Sequence, residues 1–170
     1  MSVELVKMTR DLMHRFYQAF SFDAAAIPDG EDVIVYKYDA NIVNQRFDKH
    51  LSQGKQHYAI ILNGQVIGDI YLKYIDSTAR SAEMGIHIVN DKYKNKGYGT
   101  CAEKLLLQHA FCELGLDVVY ANTLIKNKRS ERALIKAGFR EIDCDNQFSY
   151  FKCRKDEWME SSLFNNSIIA

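Results

Sequence analysis

A chain of 170 residues with 47% hydrophobic and 12% aromatic side chains has enough apolar material for one domain with a proper core, and too little length for two. Its 22 basic and 22 acidic residues cancel, so no global basic field gathers nucleic acid or an acidic membrane surface, and neither partner is expected. No apolar run approaches the roughly 20 residues that span a bilayer and no secretory block opens the chain, which points to a cytoplasmic protein. The four cysteines, Cys101, Cys112, Cys144 and Cys153, lack C-x-x-C spacing and read as reduced packing residues, with no metal site.

In chain order, residues 3–6 alternate as a short strand, and Thr9 stands where an N-cap belongs, ahead of Leu12, Met13, Phe16, Tyr17 and Phe20 at helical spacing. The pattern breaks around Pro28-Asp29-Gly30, and a second helix is expected over 40–54 from Ile42, Val43, Phe47 and Leu51. Three strands follow, over 57–62, 65–75 and 80–89, the first two joined by Asn63-Gly64, a strong hairpin signal. In the third, Met84, Ile86 and Ile88 alternate with Glu83, Gly85 and His87. A loop rich in Lys, Asn and Gly then runs through Gly97-Tyr98-Gly99 into a helix marked by Ala102, Leu105, Leu106, Ala110, Phe111 and Leu114. A strand over 118–125, a short helix from Asn127 to Gly138-Phe139, and a hairpin of 141–145 with 148–153 complete the pattern. Trp158, Leu163, Phe164, Ile168 and Ile169 make the tail, 154–170, too apolar for water, so it is expected to pack on the domain or on a second subunit, as in a homodimer.

The strand, glycine loop and helix have a chemical use. The first turn of a helix carries N–H groups without intrahelical partners and the positive end of the macrodipole, which makes a seat for phosphate. Glycine at 97 and 99 lets the backbone approach a ligand closely, and Lys92, Lys94 and Lys96 add positive charge. No Gly-Lys-Ser/Thr closes a Walker loop, and only two glycines of the dinucleotide fingerprint are present.

The run Lys94-Asn95-Lys96-Gly97-Tyr98-Gly99, followed by Thr100, resembles the pyrophosphate loop of the GNAT superfamily of acyl-CoA-dependent N-acyltransferases, in which two residues separate an Arg or Gln from Gly-x-Gly/Ala. Lys94 departs from that pattern, keeping a donor but losing the planar fork. Asn127 opening a short helix that ends in Gly138-Phe139 is similar to the family's second motif, and the resemblance covers roughly residues 3–153. It implies an α/β (α+β) GNAT fold, a central mixed, mostly antiparallel twisted sheet of about six or seven strands flanked by about four helices, as a single domain over 1–153. It also implies acetyl-CoA (coenzyme A) as cofactor, held by His87, Ile88, Val89, Lys94, Asn95, Lys96, Gly97, Tyr98, Gly99, Thr100, Asn127 and Ser130. The pantetheine arm is then expected along residues 86–89, paired with the backbone of His87 and Val89.

Acyl transfer to an amine also needs a proton acceptor and something to meet the leaving thiolate. The resemblance places the base at Glu83, eleven residues before Lys94; the alternative role for this carboxylate is an ion pair with Arg80 or Lys73, and His87 is a rival base. Leu134 stands where many members carry a tyrosine acid, leaving Tyr120 and Tyr150 as strand residues that would have to reach inward. The chain looks most like the branch that acetylates protein N-terminal amines, whereas Asp23, Asp29, Glu31 and Asp32 in the loop before the second helix would suit a small cationic acceptor such as a polyamine or aminoglycoside. A binding or regulatory module that holds acyl-CoA without turnover is the reading from a different class.

Overall fold

In the computed structural model the described residues are 3–29, 31 and 36–166. Strands β1 (Glu4–Lys7), β2 (Gln56–Leu62), β3 (Gln65–Asp76), β4 (Ser81–Ile88), β5 (Val118–Leu124), β6 (Arg140–Cys144) and β7 (Phe148–Arg154) form one sheet in the order β1-β2-β3-β4-β5-β7-β6. Every neighbouring pair is antiparallel except β4 with β5. Helices α1 (Arg10–Ala19), α2 (Ala40–Ser52), α3 (Tyr98–Gln108), α4 (Lys128–Ala137) and α5 (Lys155–Asn166) cover the sheet, and α3 runs on through a π-helical turn over His109–Glu113.

Local chemistry sets most boundaries. The Thr9 hydroxyl accepts from the Leu12 amide at 3.2 Å to start α1, and the Asp39 carboxylate accepts from the amides of Asn41 and Ile42 to start α2. Asn63 (φ 49°) and Gly64 (φ 76°) both take the left-handed conformation that a tight β2–β3 hairpin requires. Gly138 (φ 116°) ends α4, accepting a conformation that would strain any residue with a Cβ.

The sheet has a core on each face. Met84, Ala102, Leu106, Leu107, Phe111, Val119 and Phe151 belong to the core under α3, while Met13, Phe16, Val43, Ala59, Val66 and Val89 form the other under α1 and α2. Because side chains alternate along a strand, Met84 and Ile86 point to the α3 side, and Glu83, Gly85 and His87 to the α1–α2 side.

The pairing of β4 with β5 lasts for three residue pairs, Ser81↔Val118, Ala82↔Val119 and Glu83↔Tyr120. Beyond it β4 continues to Ile88 and β5 to Leu124 without each other, so the two strands part. That split positions the site.

The segment after β7, read from sequence only as an apolar tail, begins as α5. Its Trp158 ring lies 5.7 Å from Phe111 between centroids and donates Nε1–H to the Ala137 carbonyl at 3.1 Å, closing the end of α4. The side chains of Leu163 and Phe164, and Ile168 and Ile169 altogether, lie outside the described residues. Among the described residues no helix is long and apolar enough to cross a membrane. Replacing a partly buried tryptophan that also caps a carbonyl removes both area and a bond, so Trp158→Ala is expected to lower unfolding free energy by about 2–3 kcal/mol, read as a lower urea midpoint at unchanged slope.

Candidate active site

The turn before α3 is built to bare its backbone. Asn90 caps a short 3₁₀ turn over Asp91–Tyr93, and Asn95 (φ 59°) and Gly97 (φ 80°) take left-handed conformations on either side of Lys96. The chain then enters α3 with Gly97 as N-cap and no side-chain cap. Among the described residues, the first amide to find a partner is that of Cys101, which donates to the Gly97 carbonyl at 3.0 Å, leaving the amides of Tyr98, Gly99 and Thr100 to something else. A Cβ added at Gly99 would touch nothing nearer than the Ile86 side chain at 3.8 Å, so the space over this amide is empty.

Lys94, beside that space, is engaged in ion pairs. Its side chain is 6% exposed and its ammonium bonds to Asp91 at 2.7 Å and Asp23 at 2.9 Å, and Asp23 also holds Arg129 of α4. Burial would raise the Asp23 carboxyl, but the bonds from Lys94 and the Ala25 amide, with the charges of Lys94 and Arg129, outweigh it and hold the group below its ordinary value. The lysine therefore ties the loop to the segment after α1 and to the start of α4.

A cavity of about 780 Å³ opens above this turn. One end is cationic, with Lys104 of α3 and Arg129, Arg132 and Lys136 of α4; the other is aromatic, with Phe16 and Tyr17 of α1, Phe20 just after it, Tyr36, and Arg46 of α2. Ile86, His87 and Ile88 of β4 lie between. Of the residues that sequence singled out for a cofactor, His87, Ile88, Lys94, Asn95, Gly97, Tyr98, Gly99, Thr100, Asn127 and Ser130 line it. The Asn127 side chain accepts from the Ser130 amide at 3.1 Å, starting α4 at the rim.

Lys96 and Val89 are not on that lining. Val89 is fully buried, its amide donates to Ile67 at 3.0 Å, and its carbonyl accepts from Ser21 at 2.8 Å, so it has no backbone group to offer. Antiparallel hydrogen-bonded pairs alternate, so His87, two residues back and opposite Asp69, also turns its backbone toward β3. The open backbone edge belongs to Ile86 and Ile88, one residue out of phase with the expected pairing through His87 and Val89.

Glu83 also stands away from the cavity. It sits in the last β4–β5 pair, below the split, where Lys73 of β3 lies in register opposite it and forms an ion pair at 2.8 Å, while Asn122 donates to it at 3.1 Å. With Tyr120 and Tyr150 it lines a separate pocket of about 320 Å³, and the Tyr150 hydroxyl donates to Asp145 at 2.7 Å. The expected base and both substitute tyrosines are thus grouped together and away from the cavity. Leu134, at 2% exposure, is part of the core.

Sequence reading missed Asp69. It is 4% exposed, on the α1–α2 face of β3, and each carboxylate oxygen meets an imidazole: Oδ2 accepts from His57 Nε2 at 2.8 Å and Oδ1 from His87 Nδ1 at 3.0 Å. Burial alone would raise this acid, but the His87 charge and the two imidazole bonds hold it far below the usual range, so it is ionised. His57 Nδ1 in turn meets His50 Nδ1 of α2 at 3.2 Å. Burial, with Lys55 and His57 nearby, pulls His50 down to about 4, so this ring is neutral. The available signal was one acid within Val66-Ile67-Gly68-Asp69-Ile70, an otherwise apolar run. Glu103, 1% exposed on the cavity wall, was also missed; burial pushes its carboxyl up to about 8, so it is mostly protonated at neutral pH.

Residues 4–140 match the acetyltransferase (GNAT) domain family, and the chain belongs to it. Over 99 residues, 57% of the chain, it is 31% identical to the spermidine N(1)-acetyltransferase of Escherichia coli, and it spans about half, 51%, of the length of that curated relative. The solved spermidine N-acetyltransferase of Vibrio cholerae in complex with CoA and spermine has TM-score 0.75 at 16% identity, covering 93% of this chain and 98% of that one. AAC(6')-Ib in complex with ribostamycin and coenzyme A has TM-score 0.76 at 17% identity, covering 94% and 97%. At these identities the two structures show the shared fold.

The two glycines of the turn separate by their conformations. Gly97→Ala meets no atom but must hold a left-handed φ, costing about 1 kcal/mol, whereas Gly99→Ala lies in a first helical turn with room for the methyl and should be neutral or slightly stabilising. Thermal unfolding of the two variants is the check.

Proposed function

We propose that this chain is an N-acetyltransferase that moves an acetyl group from acetyl-CoA to the primary amine of a small molecule by direct attack. The observation that carries the reading is a continuous cavity running from three amides at the start of α3 that have no partner among the described residues, past a strand edge likewise unpaired among them, to an aromatic chamber under α1. The residues fit the cofactor. The amides of Tyr98, Gly99 and Thr100 suit a pyrophosphate, the outward backbone groups of Ile86 and Ile88 suit the amides of a pantetheine arm, and Lys104, Arg129, Arg132 and Lys136 supply charge for further phosphate. Bound there, acetyl-CoA supplies an activated acyl group at the split, and the protein's part is to hold an amine beside it with water excluded.

The acceptor is inferred from what the aromatic end offers. Among the described lining residues the only acids are Asp23, already bonded to Lys94 and Arg129, and Glu103, mostly protonated. Asp29 is paired with Lys126, and Asp32 lies outside the described residues. Phe16, Tyr17, Phe20 and Tyr36 pack against one another as an aromatic wall, and Arg46 lies over the Tyr17 ring at 5.3 Å. That lining favours one ammonium on an apolar or aromatic body, held in part by cation–π contact, over a polyamine such as the substrate named for the Escherichia coli relative. It likewise favours a small molecule over a protein N-terminus.

A thiol-release assay over arylalkyl monoamines, spermidine, an aminoglycoside and short peptides tests both statements. Release is expected, with kcat/KM for an arylalkylamine at least about tenfold above spermidine, as one good cation–π contact in a desolvated site provides. Gly99→Val should weaken acetyl-CoA binding by about tenfold or more in calorimetry without loss of fold, because its side chain fills the space over the amides. Binding without release for any amine would instead support the binding-module reading, and spermidine as the preferred acceptor would overturn the acceptor class.

A further inference from the structure

The bonded row across the α1–α2 face of the sheet has a direction. Asp69 is ionised and buried between His57 and His87, so it accepts a proton-bearing nitrogen from each. His50 is neutral and ends the row against His57. At the other end, the half-exposed His87 ring gives its Nδ1–H to Asp69, so that in the neutral ring Nε2 is the bare nitrogen; among the described residues nothing bonds to it. His87 lines the cavity, and it lies between Ile86 and Ile88, the two residues whose backbone groups face the split. A buried carboxylate fixing the tautomer of an imidazole that faces the reaction space is the arrangement by which a histidine is made into a directed base.

We propose that His87, held by Asp69 as its positioning residue, takes the proton from the acceptor ammonium in the transfer assigned above, on which this inference rests. The ammonium gives one proton to His87 Nε2. The freed nitrogen lone pair attacks the thioester carbonyl carbon, and the carbon–sulfur bond breaks with its electron pair leaving on sulfur. The second proton of the attacking nitrogen goes to that thiolate, giving free thiol and the acetylated amine, and His87 returns its proton to solvent. Glu83 has no place in this path, because Lys73 and Asn122 hold it in the last β4–β5 pair, off the lining of the cavity.

The groups around His87 set the sign of its pH response. Asp69 and Tyr71 reach it from β3, His57 lies beyond Asp69 on β2, Tyr17 is on α1, His50 and Arg46 are on α2, Lys55 precedes β2, and Glu83 is on its own strand. Burial pulls the imidazole down, as do Lys55 and Arg46, but the charge and hydrogen bond of Asp69 together prevail and raise it above its ordinary 6.5. The working base is the deprotonated ring, so kcat/KM rises with pH through a value above 6.5.

His87→Gln keeps a donor for Asp69 and removes the base. It is expected to cut kcat by about 10²-fold or more with acceptor KM little changed, and to abolish the rise with pH. Asp69→Asn should lower kcat by about tenfold or more and move the rise to lower pH, because the carboxylate that raised His87 is gone. Nitrogen-detected NMR of the protein without ligand reads the same assignment independently of turnover: His87 with bare Nε2, titrating above 6.5 in wild type and lower in Asp69→Asn. His87→Gln that keeps most of the rate and its pH rise, Glu83→Gln that removes them instead, or an Nε2–H tautomer at His87 would each overturn the proposal. If no amine releases thiol, the functional reading fails and the NMR result alone decides whether Asp69 poises His87.

Discussion

The separation of β4 from β5 is the constraint on which the rest of the molecule depends. A parallel ladder that stops after Glu83↔Tyr120 leaves the backbone of Ile86 and Ile88 facing a gap, and a strand edge inside a protein needs either water or a ligand to satisfy it. Had the ladder continued, no continuous space would join the turn before α3 to the chamber under α1. The split also divides the polar residues of β4 by their distance along the strand: Glu83 is enclosed by Lys73 and Asn122, whereas His87 stands at the opening.

Charge is local here although the whole chain is neutral. Lys104, Arg129, Arg132 and Lys136 surround one end of the cavity, and the turn's own lysine, Lys94, is spent on Asp23 and Asp91. That expenditure is structural, since Asp23 joins Lys94 and Arg129 and so fixes the turn against α4. The phosphate seat then rests on main-chain amides, which need no side-chain ordering when a ligand arrives.

A different balance holds on the opposite face of the sheet. Burying the Asp69 carboxylate costs several kcal/mol unless it is fully bonded, and His57 and His87 occupy both oxygens. Tyr71 packs over Gly85, where a Cβ would come within 2.5 Å of its ring, so this glycine makes room for an aromatic wall beside the two histidines. A buried charge within the sheet is expensive for stability alone, and it acquires a use only through the imidazole it orients.

The sequence by itself determined the strands, the first four helices, the turn and the family, though not α5. Thr9 and Asn127 act through side-chain caps, and Asn63-Gly64 and Gly138 through backbone conformation, all within a few residues, so their effects were legible without tertiary contacts, and the two glycines at the start of α3 carried the phosphate seat. Only the tertiary structure decided which side chains share the cavity. The one-residue phase of β4 against β3 moved the open backbone from His87 and Val89 to Ile86 and Ile88, because alternation has a parity that hydrophobic patterning does not reveal. The length of the β4–β5 ladder removed Glu83 from the site, and strand pairing brought Asp69 beside His87, 18 residues apart in the chain. Those outcomes depend on the register in which strands meet, β3 with β4 and β4 with β5, and no local pattern in a single strand encodes that register.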